Sequence, residues 1–133
     1  MKKTITTTLL TLSIVLSAFA TTPKTSNYSK VDWLKAEKNY IAALSSENIG
    51  LRQSAASFLA EYRLAGGVQP LIEVLRNDKV EQLRMAAAIA LMQLGNKDGI
   101  EAVKESAIYD GSEKVAKFCE QLINATSQEL SLK

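Results

Sequence analysis

The chain has 133 residues, with 16 Lys+Arg, 14 Asp+Glu and no histidine, and 47% of it is hydrophobic. Lys2 and Lys3 fall in a segment that looks like a removable leader; without them the 16 basic residues fall to 14, equal to the 14 acidic ones. A neutral mature chain has no basic excess with which to neutralise phosphates or adhere to anionic lipid by bulk charge, so nucleic-acid and membrane-surface binding are not expected.

The leader reading rests on three features. Lys2 and Lys3 form a positive start, Ile5 to Phe19 is apolar and uncharged, and Ala18-Phe19-Ala20 is a small-x-small cleavage site. Residues 1–20 are therefore expected to be a secretory signal peptide, cut after Ala20. The apolar run is shorter than the ~20 residues that span a bilayer. No second such run follows, so no membrane insertion is expected after cleavage, and a periplasmic or secreted location is. Residues 21–30 are rich in Thr and Ser, include Pro23, and read as a flexible leader.

From Val31 onward the hydrophobic pattern is helical, without a period-2 strand. Its main feature is internal repetition. A shift of 32 places Gly67-Val68 on Gly99-Ile100 and Asp78 on Asp110. The same shift aligns Leu51, Leu83 and Val115, then Ala55, Ala87 and Cys119, then Leu59, Leu91 and Ile123. A shift of 31 serves the first helix of the first unit, placing Tyr40-Ile41 on Leu71-Ile72. The spacing predicts helices near 31–45, 51–65, 68–77, 79–94, 99–109 and 113–125, paired into three hairpins within a domain at 31–126, with a tail at 127–133. Gly66-Gly67, Gly95 and Gly111 fall where helices should stop in a left-handed residue. Pro70 falls in a first turn. Asp78 with Glu81, and Asp98 with Glu101, have capping-box spacing.

Each second helix should carry a buried stripe: Leu51, Ala55, Phe58, Leu59 and Tyr62 in the first unit; Leu83, Ala87, Ala90, Leu91 and Leu94 in the second; Val115, Cys119, Leu122, Ile123 and Thr126 in the third. One hairpin cannot bury such a stripe, whereas stacked hairpins can. The expected fold is an all-α, short α-solenoid of about three stacked hairpins.

The segment Gly67-Val68-Gln69-Pro70-Leu71-Ile72-Glu73-Val74-Leu75-Arg76-Asn77-Asp78, followed by Leu83-Arg84-Met85-Ala86-Ala87-Ala88-Ile89-Ala90-Leu91, resembles a HEAT repeat. It is most similar to the short form in phycobilisome-lyase-like proteins, and the likeness covers roughly Lys38 to Asn124. It implies a ladder in which a turn Asp and a helix-start Arg join neighbouring repeats, here Asp78, Arg84, Arg52 and Asp110. The first unit has Ser46 at the Asp position and the third has Ala116 at the Arg position. End units meet a neighbour on one side alone and are expected to be atypical. The likeness also implies a binding scaffold. It carries over no chromophore-handling activity, because no residue here matches a site for one.

Chemistry-bearing constellations are scarce. Cys119 has no histidine to act as its base and falls on the packing stripe, so it reads as a small core residue. Glu101 and Glu105 share a helix face, an arrangement usual for solvated surface. One cysteine and no histidine leave no zinc set, and no cofactor is expected. Asn27-Tyr28-Ser29 and Asn124-Ala125-Thr126 fit the glycosylation sequon, but in a chain with a bacterial-looking start they read as chance. The remaining candidate is a surface. Met85, Ala88, Ile89 and Met92 lie on helix 79–94 opposite its core stripe, where neighbouring units have mostly polar residues. An all-apolar helix is covered by its neighbours or offers a partner surface. Met85 and Met92 are expected to stay partly open, with Ile89 more covered. The reading is therefore an exported, non-enzymatic interaction scaffold or adaptor with an unidentified protein partner. The alternative is an accessory subunit of an envelope enzyme or a structural part of an envelope assembly.

Overall fold

The computed structural model describes residues 31–131, with side chains through residue 128. The signal and leader readings for residues 1–30 lie outside the described residues. The helices are α1 (Trp33–Ala43), α2 (Ile49–Glu61), α3 (Val68–Asn77), α4 (Glu81–Leu94), α5 (Lys97–Tyr109) and α6 (Glu113–Ser131). A single 3-10 turn, Ala65–Gly67, precedes α3. No strand occurs among the described residues. The architecture is a short all-α solenoid of three hairpins, α1–α2, α3–α4 and α5–α6. Consecutive hairpins stack through α2 on α4, α3 on α5, and α4 on α5 and α6.

The helix starts follow from local hydrogen bonding. Asp32 accepts from the Lys35 backbone N–H at α1, and Asn48 accepts from the Leu51 N–H at α2. Each satisfies one of the donors that a helix N-terminus leaves unpaired. The capping-box reading of Asp98 gives way to a different cap: Asn96 is the α5 N-cap and accepts from the Asp98 N–H. α4 has Val80 as N-cap and no side-chain cap. α6 runs on to Ser131, past the expected end near 125, so part of the expected tail is helix. Thr126 and Ser127 bond back to the Leu122 and Ile123 carbonyls, four residues earlier.

The glycines divide into two roles. Gly95 ends α4 with φ 68, the left-handed cap that the sequence implied. Gly66, Gly67 and Gly111 have no positive φ; the left-handed residue after α2 is Arg63, with φ 51. Gly67 instead permits close approach. A Cβ there would lie 2.9 Å from Leu59 Cδ2, and one on Gly99 would lie 2.9 Å from Leu91 Cδ2. Gly67 and Gly99, like Leu59 and Leu91, are 32 residues apart. Each glycine lets the first helix of a hairpin seat on the second helix of the hairpin before it.

The core runs along the stack. Leu59, Leu71, Leu75, Leu91, Val103, Val115 and Cys119 are essentially sealed, and Leu83 is 1% exposed. Ala55, Ala56, Ala60, Ala87, Ala88 and Ala90 are buried among them. Short side chains let α2 and α4 approach closely, and burial of each large aliphatic side chain contributes roughly 1.5–3 kcal/mol. The first stripe behaves differently from its counterparts. Ala55 and Leu59 are buried, but Leu51 is 50%, Phe58 37% and Tyr62 41% exposed. These side chains face the side on which no earlier hairpin lies among the described residues.

Candidate functional site

The turn between the helices of each hairpin is built alike. Asp78 accepts from the Val80 N–H, Asp110 from the Ser112 N–H, and Ser46 from the Asn48 N–H. In all three the side chain closes the turn two residues on, so Ser46 keeps the turn function of the aspartates without their charge.

The charge is used between hairpins. Arg52 pairs with Asp78, and Arg84 with Asp110, each across 26 residues. Arg84 holds Asp110 in a two-bond fork, Nε to Oδ2 at 3.0 Å and a terminal nitrogen to Oδ1 at 2.8 Å. Its other terminal nitrogen donates to the Asp78 carbonyl at 2.8 Å. The arginine of one hairpin thus grips the turn of the next and its own turn together. Arg52 makes the forward contact but leaves its Nε buried without a partner. An aspartate at position 46 would have no preceding arginine to meet. An arginine at 116 would have no following turn among the described residues, in keeping with Ser46 and Ala116 in the two outer hairpins.

Asp110 also accepts from the Ser106 hydroxyl at 3.3 Å, and Ser106 accepts from the Cys119 thiol at 3.6 Å. Burial opposes the charge on Asp110, but the Arg84 fork, the Ser112 N–H and the Ser106 hydroxyl outweigh it and hold the carboxyl below its usual range. Its hydrogen bond to Asp110 raises the Arg84 guanidinium further. Burial pushes the Cys119 thiol up, away from the thiolate that nucleophilic or redox chemistry requires. Ser112 adds another tie between hairpins, donating to Glu81 at 2.6 Å.

Two hollows flank this ladder. One, of about 430 Å³, lies beside Arg76, Arg84, Glu105 and Tyr109; the other, of about 320 Å³, lies beside Ile41, Pro70, Glu73 and Asn77. Glu73 and Asn77 correspond to Glu105 and Tyr109 under the 32-residue shift. The hollows are thus the same furrow between successive first helices, a product of stacking rather than a specialised pocket. Among the described residues no three of His, Cys, Asp and Glu are grouped to hold a metal ion. No described helix is long and apolar enough to cross a membrane.

The surface singled out on α4 is divided by the fold. Ala88 is completely buried and belongs to the core. Met85 and Met92 are half-buried and pack against the core. Ile89, expected to be the more covered, is 39% exposed and the most open of the four. The reason lies opposite it. Ile89 looks into a groove of about 650 Å³ between α2 and α4, whose α2 wall includes the short Ser57 and Ala60. Short walls bring the helix axes together but do not reach across to cover Ile89. Gln53, Gln93, Glu61 and Arg63 supply the polar rim, and Arg63 donates to the Gln93 carbonyl at 3.5 Å. Sequence reasoning missed this groove because its apolar floor and polar rim come from two repeats. The alignment of Ser57 and Ala60 with Ile89 and Met92 held the signal, since it sets small residues beside large ones.

The comparisons with curated proteins and with solved structures each gave no match. A family model described as HEAT repeats matches residues 37–124. That span runs from within α1 to within α6 and takes in both Arg–Asp rungs and both seated glycines, and the chain belongs to the HEAT-repeat family.

Proposed function

We propose that the chain is an exported, non-enzymatic scaffold that binds a protein partner through the second-helix face of its stack. HEAT repeats generally mediate protein–protein interaction. The observation that carries the reading here is the α2–α4 groove, with open Ile89 on its floor and amide and charged groups on its rim. Such a site suits a partner that inserts an apolar side chain and meets the rim through hydrogen bonds. The titratable groups with displaced acidity favour a structural role. Asp110 and Arg84 are spent on each other, and Cys119 is sealed.

Export is supported by the positive start, apolar stretch and Ala18-Phe19-Ala20 site. Intact mass of protein from the cell-envelope fraction should give an N-terminus at Thr21. Full-length chain in the cytosol would defeat the export reading.

For the interaction, crosslinking in the native envelope should yield a defined adduct. Ile89→Lys should lose that adduct while keeping the unfolding midpoint, because Ile89 is already open to solvent. Tyr109→Lys, at an 80% exposed position away from the groove, should retain it. Equal capture by Ile89→Lys and the unaltered chain would overturn the groove as the binding site.

A further inference from the structure

The two ends of the stack differ in chemistry. On α6 the side facing away from the second hairpin carries Lys117, Glu120, Gln121 and Asn124, all exposed. A polar outer face of this kind terminates a solenoid. The first hairpin has the opposite character. Leu51, Phe58 and Tyr62 recur at one face of α2, and all three stand well open. Trp33, 47% exposed, lies on Tyr62 with ring centroids 5.0 Å apart, and Tyr40 lies 5.3 Å from Phe58. The rings form one continuous apolar surface. At the matching position of the next hairpins, Leu83 is 1% and Val115 0% exposed, because another hairpin precedes them.

We propose that this open first-hairpin face is a self-association surface, on which a second copy of the chain docks head to head about a two-fold axis. Three observations select that occupant. Head-to-tail stacking would press Lys117 and Glu120 against Leu51 and Phe58 and strip water from unpaired charges, which is costly. A two-fold pairing instead sets the apolar face on itself and closes at two copies. The exposed charges beside Trp33 have both signs, Asp32 at the N-cap of α1 and Lys35 in its first turn. Two copies can therefore meet acid to base without like-charge repulsion.

The area also fits. Free aromatic side chains offer about 150–250 Å² each, so the open fractions of Trp33, Phe58 and Tyr62 with that of Leu51 amount to on the order of 350 Å². Val31, 45% exposed and two residues from Trp33, extends the patch. A standard interface takes about 800 Å² per partner, of which roughly 60% is apolar, so the patch approaches the apolar share of a modest dimer. In sequence, residues 21–30 have Tyr28 as their one large apolar side chain.

Trp33 is the chain's single tryptophan and lies within the face, so its emission reports coverage directly. The test uses the chain in the form its cell retains, with sedimentation equilibrium and Trp33 emission followed from about 1 μM to 1 mM, spanning weak to moderate affinities. The expected result is twice the single-chain mass at the upper end, with a blue shift of Trp33 over the same range. Phe58→Glu should remain at single-chain mass with no concentration-dependent shift, and circular dichroism should show it folded. Because Cys119 is buried, Phe58→Cys supplies an accessible thiol and should give an inter-copy disulfide on mild oxidation, whereas Lys117→Cys should not. A single-chain mass throughout, with Trp33 emission constant, would overturn the proposal in favour of a cover from residues 21–30 or a different partner. A dimer that survives Phe58→Glu, or that crosslinks through Lys117→Cys, would overturn it equally.

Discussion

Leu51 and Leu83 occupy the same place in two copies of one repeat, yet one is 50% exposed and the other 1%. Phe58 and Ala90 differ in the same way, at 37% and 1%. The hydrophobic stripe is a property of the repeat, whereas its burial is a property of the neighbour. A solenoid hairpin brings half an interface and depends on the next hairpin for the rest. The middle hairpin has both neighbours and contributes Leu83, Ala87, Ala88, Ala90 and Leu91 to the core. Among the described residues the first hairpin has one neighbour, and its other half-interface stands exposed.

The largest expected difference is between these two leucines. Leu83→Ala should lower stability by about 2–5 kcal/mol, through lost burial and the cavity left behind. Leu51→Ala should cost less than about 1 kcal/mol, since its site is already half open. Urea unfolding in dilute solution checks both. Equal losses would mean that the first stripe is covered and that the comparison fails.

The arginines should rank next. Arg84 makes a two-bond fork and a third bond to the Asp78 carbonyl, and its side chain is 13% exposed. Removing it leaves Asp110 buried with less compensation, so Arg84→Ala should cost about 2–3 kcal/mol. Arg52 has one forward pairing and an unpaired Nε, and Arg52→Ala should cost about half as much. The same unfolding measurement ranks them, and a larger loss at Arg52 would contradict the ladder geometry.

Gly99→Ala sets a methyl 2.9 Å from a Leu91 side chain that cannot move freely, being fully buried. Overpacking of about 1–3 kcal/mol is partly offset by a helix-propensity gain of up to about 1 kcal/mol, for a net loss near 1 kcal/mol. Gly111→Ala meets nothing within 4 Å and should stay within about 0.5 kcal/mol of the unaltered chain. Thermal midpoints of the two variants should differ in that order.

The smallest effect is one of pH. Asp110 is more acidic folded than unfolded, so its contribution is fully present above its unfolded value, about 3.9. It is lost as pH falls through the lower folded value. Stability should therefore decline below about pH 4, and the decline should be shallower in Arg84→Ala. Parallel curves for the two proteins between about pH 6 and pH 2 would show that Asp110 does not depend on its arginine.

Much of this architecture was legible because the repeat states it several times. The 32-residue shift aligned Leu83 with Val115 and Asp78 with Asp110, and the helix order followed. The glycine matches at 67 and 99 were visible too, but their purpose was not, since close approach to Leu59 and Leu91 is a contact between repeats. Periodicity located the stripe of Leu51, Phe58 and Tyr62 without revealing its exposure, for the same reason. On α4 it gathered Met85, Ala88, Ile89 and Met92 into one face. Packing then separated them: Ala88 entered the core, and Ile89 stayed open because Ser57 and Ala60 are short. Pattern within one helix gives direction, whereas coverage depends on the side chains of another.

Amide hydrogen exchange on the folded chain in dilute solution tests the dependence on neighbours most directly. Opening free energies should rise from α1 and α2, whose hairpin has one covered side, to α4, which is packed by α2, α3, α5 and α6. The account predicts the slowest exchange in the middle of α4 around Ala87 to Leu91, and faster exchange throughout α1 and at the Leu51 end of α2. Exchange in α1 and α2 as slow as in α4 would contradict it.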